Sequence, residues 1–259
     1  MAKLKIVVLL VACFLLSIVF VGCGDNDSKT TVGNANNTAL RVATSIDFPP
    51  FEFSSERHKG YQGFDMDLIR AIGEEMGRDV VIEAYDFDKL LSVLQTKQAD
   101  VIIAALSISE ERRKVVRFSK PYYHSGLSLV VRYDNQNIRS FTDLRGKRVA
   151  VQSGSTAIDE LKKIGDVTIK EFTNQPDIFM ELSIGGVDAI VNDRPVNDFY
   201  IHNYGMAGVK SLDDMLTREE YGIAVRKDNV ELMQQIDAAL KKLHTNGKYA
   251  QIYTKWFGK

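Results

Sequence analysis

The chain has 259 residues, enough for one or two domains with real cores. Its hydrophobic fraction of 45% and charged fraction of 26% are those of a soluble globular protein. A formal net charge of -1, with no basic, aromatic-interleaved patch, excludes a bulk electrostatic pull towards nucleic acid, and no nucleic-acid partner is expected.

The first 22 residues read as a secretory signal peptide. Lys3 and Lys5 give a positive start, and Ile6 to Val21 is an apolar run ending at Gly22-Cys23. Phe20-Val21-Gly22-Cys23 resembles a bacterial lipobox, departing from it at Phe20. Leu10-Val11-Ala12-Cys13 matches the letters better, but leaves too short an apolar run before it and an apolar tail after it. Cys23 is therefore the expected lipidation site, and the protein is expected to be exported, lipid-anchored at the cell membrane or periplasmic. Both cysteines, Cys13 and Cys23, belong to this leader, so neither a disulfide framework nor a cysteine metal site is expected. Gly24 to Thr38 is small and polar and cannot bury enough surface to order itself. As a flexible tether of about 15 residues it reaches roughly 20 Å.

Beyond the tether, Leu40 to Thr44 reads as a strand and Ser45 to Phe53 as a loop stiffened by Pro49 and Pro50. Phe51 and Phe53 are expected in the core, while Phe48, beside the prolines, faces a ligand. Tyr61-Gln62-Gly63 reads as a turn. Phe64 to Gly77 has the spacing of an amphipathic helix, with Asp65 and Asp67 as first-turn carboxylates on its dipole. Val80 to Ala84 is a strand, and Lys89 to Thr96 a helix. After residue 123 come a strand at Ser128 to Arg132, a short helix at Ser140 to Arg145, and a second strand–helix series. That series runs through Arg148 to Val151, a helix after Ser155, Thr168 to Phe172, a helix from Asp177 to Ile184, and Asp188 to Val191. Tyr221 to Arg226 is a last strand, Val230 to His244 an amphipathic helix, and Tyr249 to Phe257 an aromatic segment packing back on the first series. The expected class is α/β, with two lobes, mainly parallel sheets, a hinge and an interlobe ligand cleft. Lobe 1 is expected to comprise residues 39–124 and 220–259, and lobe 2 residues 127–217.

The central stretch is Asp100 to Tyr123. An apolar strand, Val101 to Ala105, runs into the helix-capping segment Ser107-Ile108-Ser109 and then into Glu110 to Lys114. Open α/β sheets bind ligands beyond the carboxyl ends of their strands, and Arg112 stands just there. Gln152-Ser153-Gly154-Ser155-Thr156 follows one strand and precedes a helix, so its free N–H groups favour an anion. With Arg112, whose fork gives two parallel charge-assisted bonds, it suggests a small carboxylate held between lobes. Asp193, ending another strand before Pro195, can receive an ammonium group, cap the following helix, or do both. Phe48 and Phe87 can flank an aliphatic or cationic side chain. Catalysis finds little support: His58, His124, His202 and His244 have unremarkable neighbourhoods, and no nucleophile elbow or metal-ligand spacing occurs. No cofactor and no metal are expected.

Seven stretches together carry a family resemblance: DFPPFEF (47 to 53), GFDMDL (63 to 68), LQTKQADVIIAALSISEER (94 to 112), FSKPYY (118 to 123), VQSGST (151 to 156), VDAIVND (187 to 193) and IYTKWFG (252 to 258). From Leu40 to Gly258 the chain resembles the bacterial extracellular solute-binding proteins of family 3, the amino-acid receptors of ABC importers. Its layout is nearest to the glutamine-binding and basic-amino-acid-binding members. The resemblance implies a monomeric, two-lobed receptor, of the type II periplasmic-binding-protein fold, that delivers an L-amino acid to an ABC permease. It matches Arg112 and the Thr156 backbone to the α-carboxylate clamp. Asp193, the Ser107 hydroxyl and the Ala105 carbonyl match the α-ammonium site, and Phe48 and Phe87 the walls of the side-chain pocket. Ser45, Gln152 and Asn192 depart from the glutamine-binding pattern, where an aspartate, a lysine and a histidine are usual. Asp47 adds a carboxylate and Gln152 removes a cation, so a basic ligand, arginine or lysine, is favoured over glutamine, against the missing acid at Ser45. The competing expectations are a cyclohexadienyl dehydratase-like enzyme on this fold and a sensory domain.

Overall fold

A computed structural model of the chain describes residues 39–55 and 58–258; the leader, Cys23 and the tether lie outside the described residues. The chain begins with β1 (Leu40–Thr44), β2 (Asp47–Phe48), β3 (Glu52–Ser55), β4 (His58–Gln62) and α1 (Phe64–Met76). It continues through β5 (Val80–Ala84), α2 (Leu90–Gln95), β6 (Val101–Ile102), α3 (Glu110–Val115) and β7 (Val116–Phe118). Next come β8 (Tyr123–Ser125), β9 (Leu127–Arg132), β10 (Arg148–Gln152), α4 (Thr156–Ile164), β11 (Thr168–Phe172), α5 (Gln175–Ser183), β12 (Ala189–Asp193), α6 (Arg194–Asn203) and β13 (Val209–Met215). The last elements are β14 (Glu219–Tyr221), β15 (Ala224–Arg226), α7 (Val230–Thr245) and α8 (Lys248–Phe257).

Two five-stranded sheets organise these elements, in the orders β5-β1-β6-β15-β7 and β11-β10-β12-β9-β13. In each, three strands pair in parallel, and on one side a fourth strand, β15 or β9, runs antiparallel to both its neighbours. The chain leaves the first sheet at β7, enters the second at β9, and returns to the first at β15. The two crossing segments, β8 and β14, pair antiparallel with Tyr123 opposite Tyr221. The architecture is therefore α/β with two sheet-containing lobes, and residues far apart in sequence meet along the double crossing.

Local chemistry explains most of the elements. The helix α1 buries Phe64, Leu68 and Ile72 on one face and stops at Gly77, which adopts the left-handed conformation. Its start is fixed by Gly63, where a Cβ would lie 1.9 Å from the Phe51 carbonyl oxygen. The helix α5 begins at Gln175 rather than at Asp177, because Asn174 accepts a bond from the Asp177 N–H and a proline occupies the first turn. Ser109 caps α3 in the same way, accepting from the Arg112 N–H at 3.2 Å. Ser109→Ala should lower stability by about 1 kcal/mol; an unchanged urea midpoint would mean that the cap contributes nothing.

Several expectations need correction. The segment Tyr61-Gln62 is the end of strand β4, not a turn, paired with β3. The expected strand Tyr221 to Arg226 is two strands, because Gly222-Ile223 changes sheets between the β8 and β6 pairings. The strand β13 had no apolar signature, since it is an edge strand joined to β9 through backbone bonds with a bulge between Ser211 and Met215. Phe51 is fully buried and touches the rings of Phe64, Tyr123, Tyr221 and Phe257. Phe53 is only half-buried, set against Phe199 and Trp256. The aromatics of α8 extend that ring cluster outwards: Ile252 is buried, Trp256 and Phe257 are half-buried and Tyr253 is exposed.

Candidate functional site

The segment linking β6 to α3 and the segment linking β10 to α4 face each other. Arg112, on α3, is 9% exposed. Its guanidinium donates to the Ser107 carbonyl at 2.8 Å within its own lobe and to the Gly154 carbonyl at 3.0 Å across the cleft. The Phe87 ring lies under it, 5.4 Å from centroid to Cζ. Both acceptors are neutral, and among the described residues Arg112 has no salt bridge. Burial consequently lowers its pKa, opposed by the more distant charges of Glu219 and Asp193. A buried cation without an ion pair carries a desolvation cost that an anion beside it would offset.

Gly154 is needed at this contact. It has φ 76°, and a Cβ there would lie 3.1 Å from Asp88 on the opposite lobe. Thr156 opens α4 and donates its hydroxyl to both oxygens of Glu219, each at 3.0 Å. Glu219, on the returning segment β14, thus stands beside the clamp.

Asp193, the other pole, is 8% exposed. It occupies the N-cap position of α6, but its side chain caps nothing. Instead its carboxylate accepts from the Tyr221 hydroxyl and, at 2.9 Å, from the Ser125 hydroxyl. Burial, reinforced by the Glu219 charge, pushes its pKa up to about 7 despite those donors. The capping half of the expectation therefore fails: the two hydroxyls of the paired crossing segments hold the carboxylate away from the helix end.

The remaining expected residues divide into two groups. Ser45, Asp47 and Phe87 line a cavity of about 310 Å³ together with Tyr85, Asp86 and Asn174. Asp47 accepts from the Gln175 N–H at 2.7 Å, a bond between the lobes, and Tyr200 reaches its carbonyl. Burial, and to a lesser degree the Asp86 charge, raise the Asp47 pKa. Phe48 is buried and in ring contact with Phe51. Gln152 is buried, and its Nε2 has no acceptor among the described residues. Asn192 is also buried and donates to Gln175 Oε1 at 2.9 Å. Ala105 has φ 43° and its N–H donates to Asp65 at 2.7 Å; Ser107 bridges to Tyr221. No cluster of histidine, cysteine or acidic side chains among the described residues can hold a metal, and no described helix is long and apolar enough to cross a membrane.

The residues that sequence reasoning missed are Tyr221, Ser125, Glu219, Glu52 and Asp65. The first three lie on or beside β8 and β14, which had no reason to be paired until the double crossing was known.

Residues 40–259 match the model of the bacterial extracellular solute-binding proteins, family 3. The chain belongs to that family. A putative ABC transporter arginine-binding protein 2 of Escherichia coli is 32% identical over 230 residues, covering 85% of this chain and 91% of that one. A probable histidine-binding protein of Neisseria gonorrhoeae is 30% identical over 254 residues, 96% and 93% of the two chains. An ancestral arginine-binding protein, solved with arginine and with glutamine, superposes with a TM-score of 0.82 at 44% identity, over 86% of this chain and 99% of its own. These relatives of the family 3 protein are named as binding proteins, and family members work outside the cell or in the periplasm with ABC transporters.

Proposed function

We propose that this protein is the substrate-binding lipoprotein of an amino-acid ABC transporter, exported, anchored through Cys23, and not an enzyme. It takes a polar L-amino acid between its lobes, arginine or lysine in preference to glutamine, and hands it to the permease. The observation that carries this reading is the pair of buried, opposite charges, Arg112 without an anion and Asp193 without a cation among the described residues. A free amino acid is the small molecule that supplies both missing partners at once.

In this reading Arg112 and the Thr156 N–H hold the α-carboxylate. Asp193, the Ser107 hydroxyl and the Ala105 carbonyl hold the α-ammonium. Phe48 and Phe87 wall the side chain, and Ser45, Asp47 and Gln152 meet its end. Two acids, Asp47 and Asp86, border the cavity there, which favours a cation. The arginine-binding names among the relatives agree. The glutamine alternative draws on Gln152 Nε2, a buried donor that a carboxamide oxygen would satisfy, and on the ancestral relative's glutamine complex.

A thermal-shift screen of the mature domain against the common L-amino acids tests the reading. The true ligand raises the melting temperature with the logarithm of its concentration. No shift with any amino acid, or turnover of arogenate or prephenate, contradicts it. Asp47→Asn refines it. The amide oxygen can still accept from the Gln175 N–H, so closure is kept for every ligand, and loss of charge should weaken arginine and lysine about 3- to 10-fold more than glutamine. Equal losses remove Asp47 from specificity.

A further inference from the structure

Glu52 and Asp65 are both fully buried, on β3 and at the start of α1, and as neighbouring carboxyls they shift each other's acidity. Two ionised carboxylates side by side in the core are acceptors only and repel each other; a proton between them removes the repulsion and makes one the donor. The other oxygens are accounted for. Ser45 donates to Glu52 Oε1 at 3.1 Å. The Ala105 N–H and the Tyr122 hydroxyl donate to Asp65 Oδ2 at 2.7 and 2.8 Å. Glu52 Oε2 and Asp65 Oδ1 have no N–H or hydroxyl donor among the described residues, as expected if they share the proton.

The donors decide where the remaining charge sits. Asp65 receives two outside donors and, from a protonated Glu52, a third; Glu52 receives one. The ordering of acidities agrees: burial pushes Asp65 up to about 6, whereas burial together with the Asp65 charge pushes Glu52 well above its ordinary range. Tyr122, Tyr249 and Asp47 are the titratable neighbours, and among the described residues no lysine, arginine or histidine contacts either carboxyl. A full negative charge is thus buried one hydrogen bond behind Ala105, a non-glycine residue held at φ 43°.

We propose that ionised Asp65, paired with protonated Glu52, is a positioning residue for the α-ammonium site: it fixes Ala105 in its left-handed conformation and supplies the lobe 1 counter-charge that complements Asp193. This rests on the receptor reading above and assigns to it a second buried anion. It also explains why a protein would keep an unpaired charge in its core, since the cation arrives with the ligand.

The test uses Glu52→Gln, the double variant Glu52→Gln/Asp65→Asn, and two probes, L-arginine and its deaminated analogue 5-guanidinopentanoate. A glutamine side chain at position 52 reproduces a protonated glutamate, accepting from Ser45 and donating to Asp65. Glu52→Gln should therefore bind arginine within about threefold of the parent protein. The double amide retains the network with one bond reversed and loses the charge: the side chain at position 65 keeps its two donors and gives its NH2 to the amide oxygen at position 52, whose own NH2 turns to donate to the Ser45 hydroxyl. It should fold with an undiminished melting temperature, bind arginine at least about tenfold more weakly, and bind 5-guanidinopentanoate as the parent does. Infrared spectroscopy at about pH 8 should show the band of a buried protonated carboxyl, and Glu52→Gln should abolish it, a result that does not depend on the double variant folding. Unchanged arginine affinity in the double amide, parallel loss for both probes, or no Glu52-dependent band overturns the proposal. If the parent protein binds 5-guanidinopentanoate but no amino acid more tightly, the receptor reading falls as well.

Discussion

Arg112→Ala should leave the fold intact and weaken amino-acid binding by roughly 2–5 kcal/mol, on the order of 30- to several-thousand-fold. The size follows from burial. The guanidinium is shielded from water, its two hydrogen bonds go to neutral carbonyls, and it has no ion pair among the described residues. An arriving carboxylate therefore meets an unscreened cation. Without it, a bound carboxylate would be buried beside Asp193 and Glu219 with no countercharge. Ligand-free stability should change little, because removing an unpaired buried charge relieves a desolvation cost that offsets the two lost bonds. Arg112→Lys should recover only part of the loss, since an ammonium cannot reach the Ser107 and Gly154 carbonyls and a carboxylate with one planar fork. Calorimetric affinity unchanged in Arg112→Ala would remove the clamp from the account.

Asp193→Asn should act in opposite directions on binding and on stability. Affinity should fall by roughly 2–5 kcal/mol, because the ligand ammonium loses its charged partner. The ligand-free protein at neutral pH should become more stable, because an amide in this place still accepts from Tyr221 and Ser125 without burying a charge. The pH dependence follows from the same shift. The empty site holds Asp193 at about 7, above the ordinary aspartate value near 3.9, so the folded protein binds more protons than the unfolded chain between those values. That contribution to ligand-free stability is fully present below about pH 4 and is lost as pH rises through about 7. Affinity runs the other way: a ligand ammonium needs the ionised form, so binding strengthens as pH rises towards about 8, with proton release on binding near neutrality. Asp193→Asn should flatten the Asp193 part of both profiles. A variant with parental affinity and an unaltered pH profile would place the ammonium elsewhere.

Much of this site was legible before the fold was known, and the physical reason is local. Arg112 is announced by a strand end, a capping serine and a short helix, and those features depend on neighbours in sequence. Asp193 is announced by its position between a buried strand and Pro195. Its hydroxyl partners were not legible: Ser125 and Tyr221 are brought to it by the pairing of β8 with β14, across almost a hundred residues. Asp65 shows the same limit. Its place in the first turn of α1 suggested an acid on the helix dipole, and that position is correct. Its complete burial against Glu52 and Tyr122 depends on three separate segments meeting, which no local pattern encodes. The strand β13 was invisible because an edge strand can form through its backbone without an apolar face.

The central claim is that a zwitterion is gripped at both ends between two lobes. Calorimetric titration of the tightest-binding L-amino acid alongside the amine left when its carboxylate is removed tests this most directly. The account predicts that the amine, which leaves Arg112 unpaired, binds on the order of 100-fold more weakly or not at all. Equal affinity for the two would contradict it.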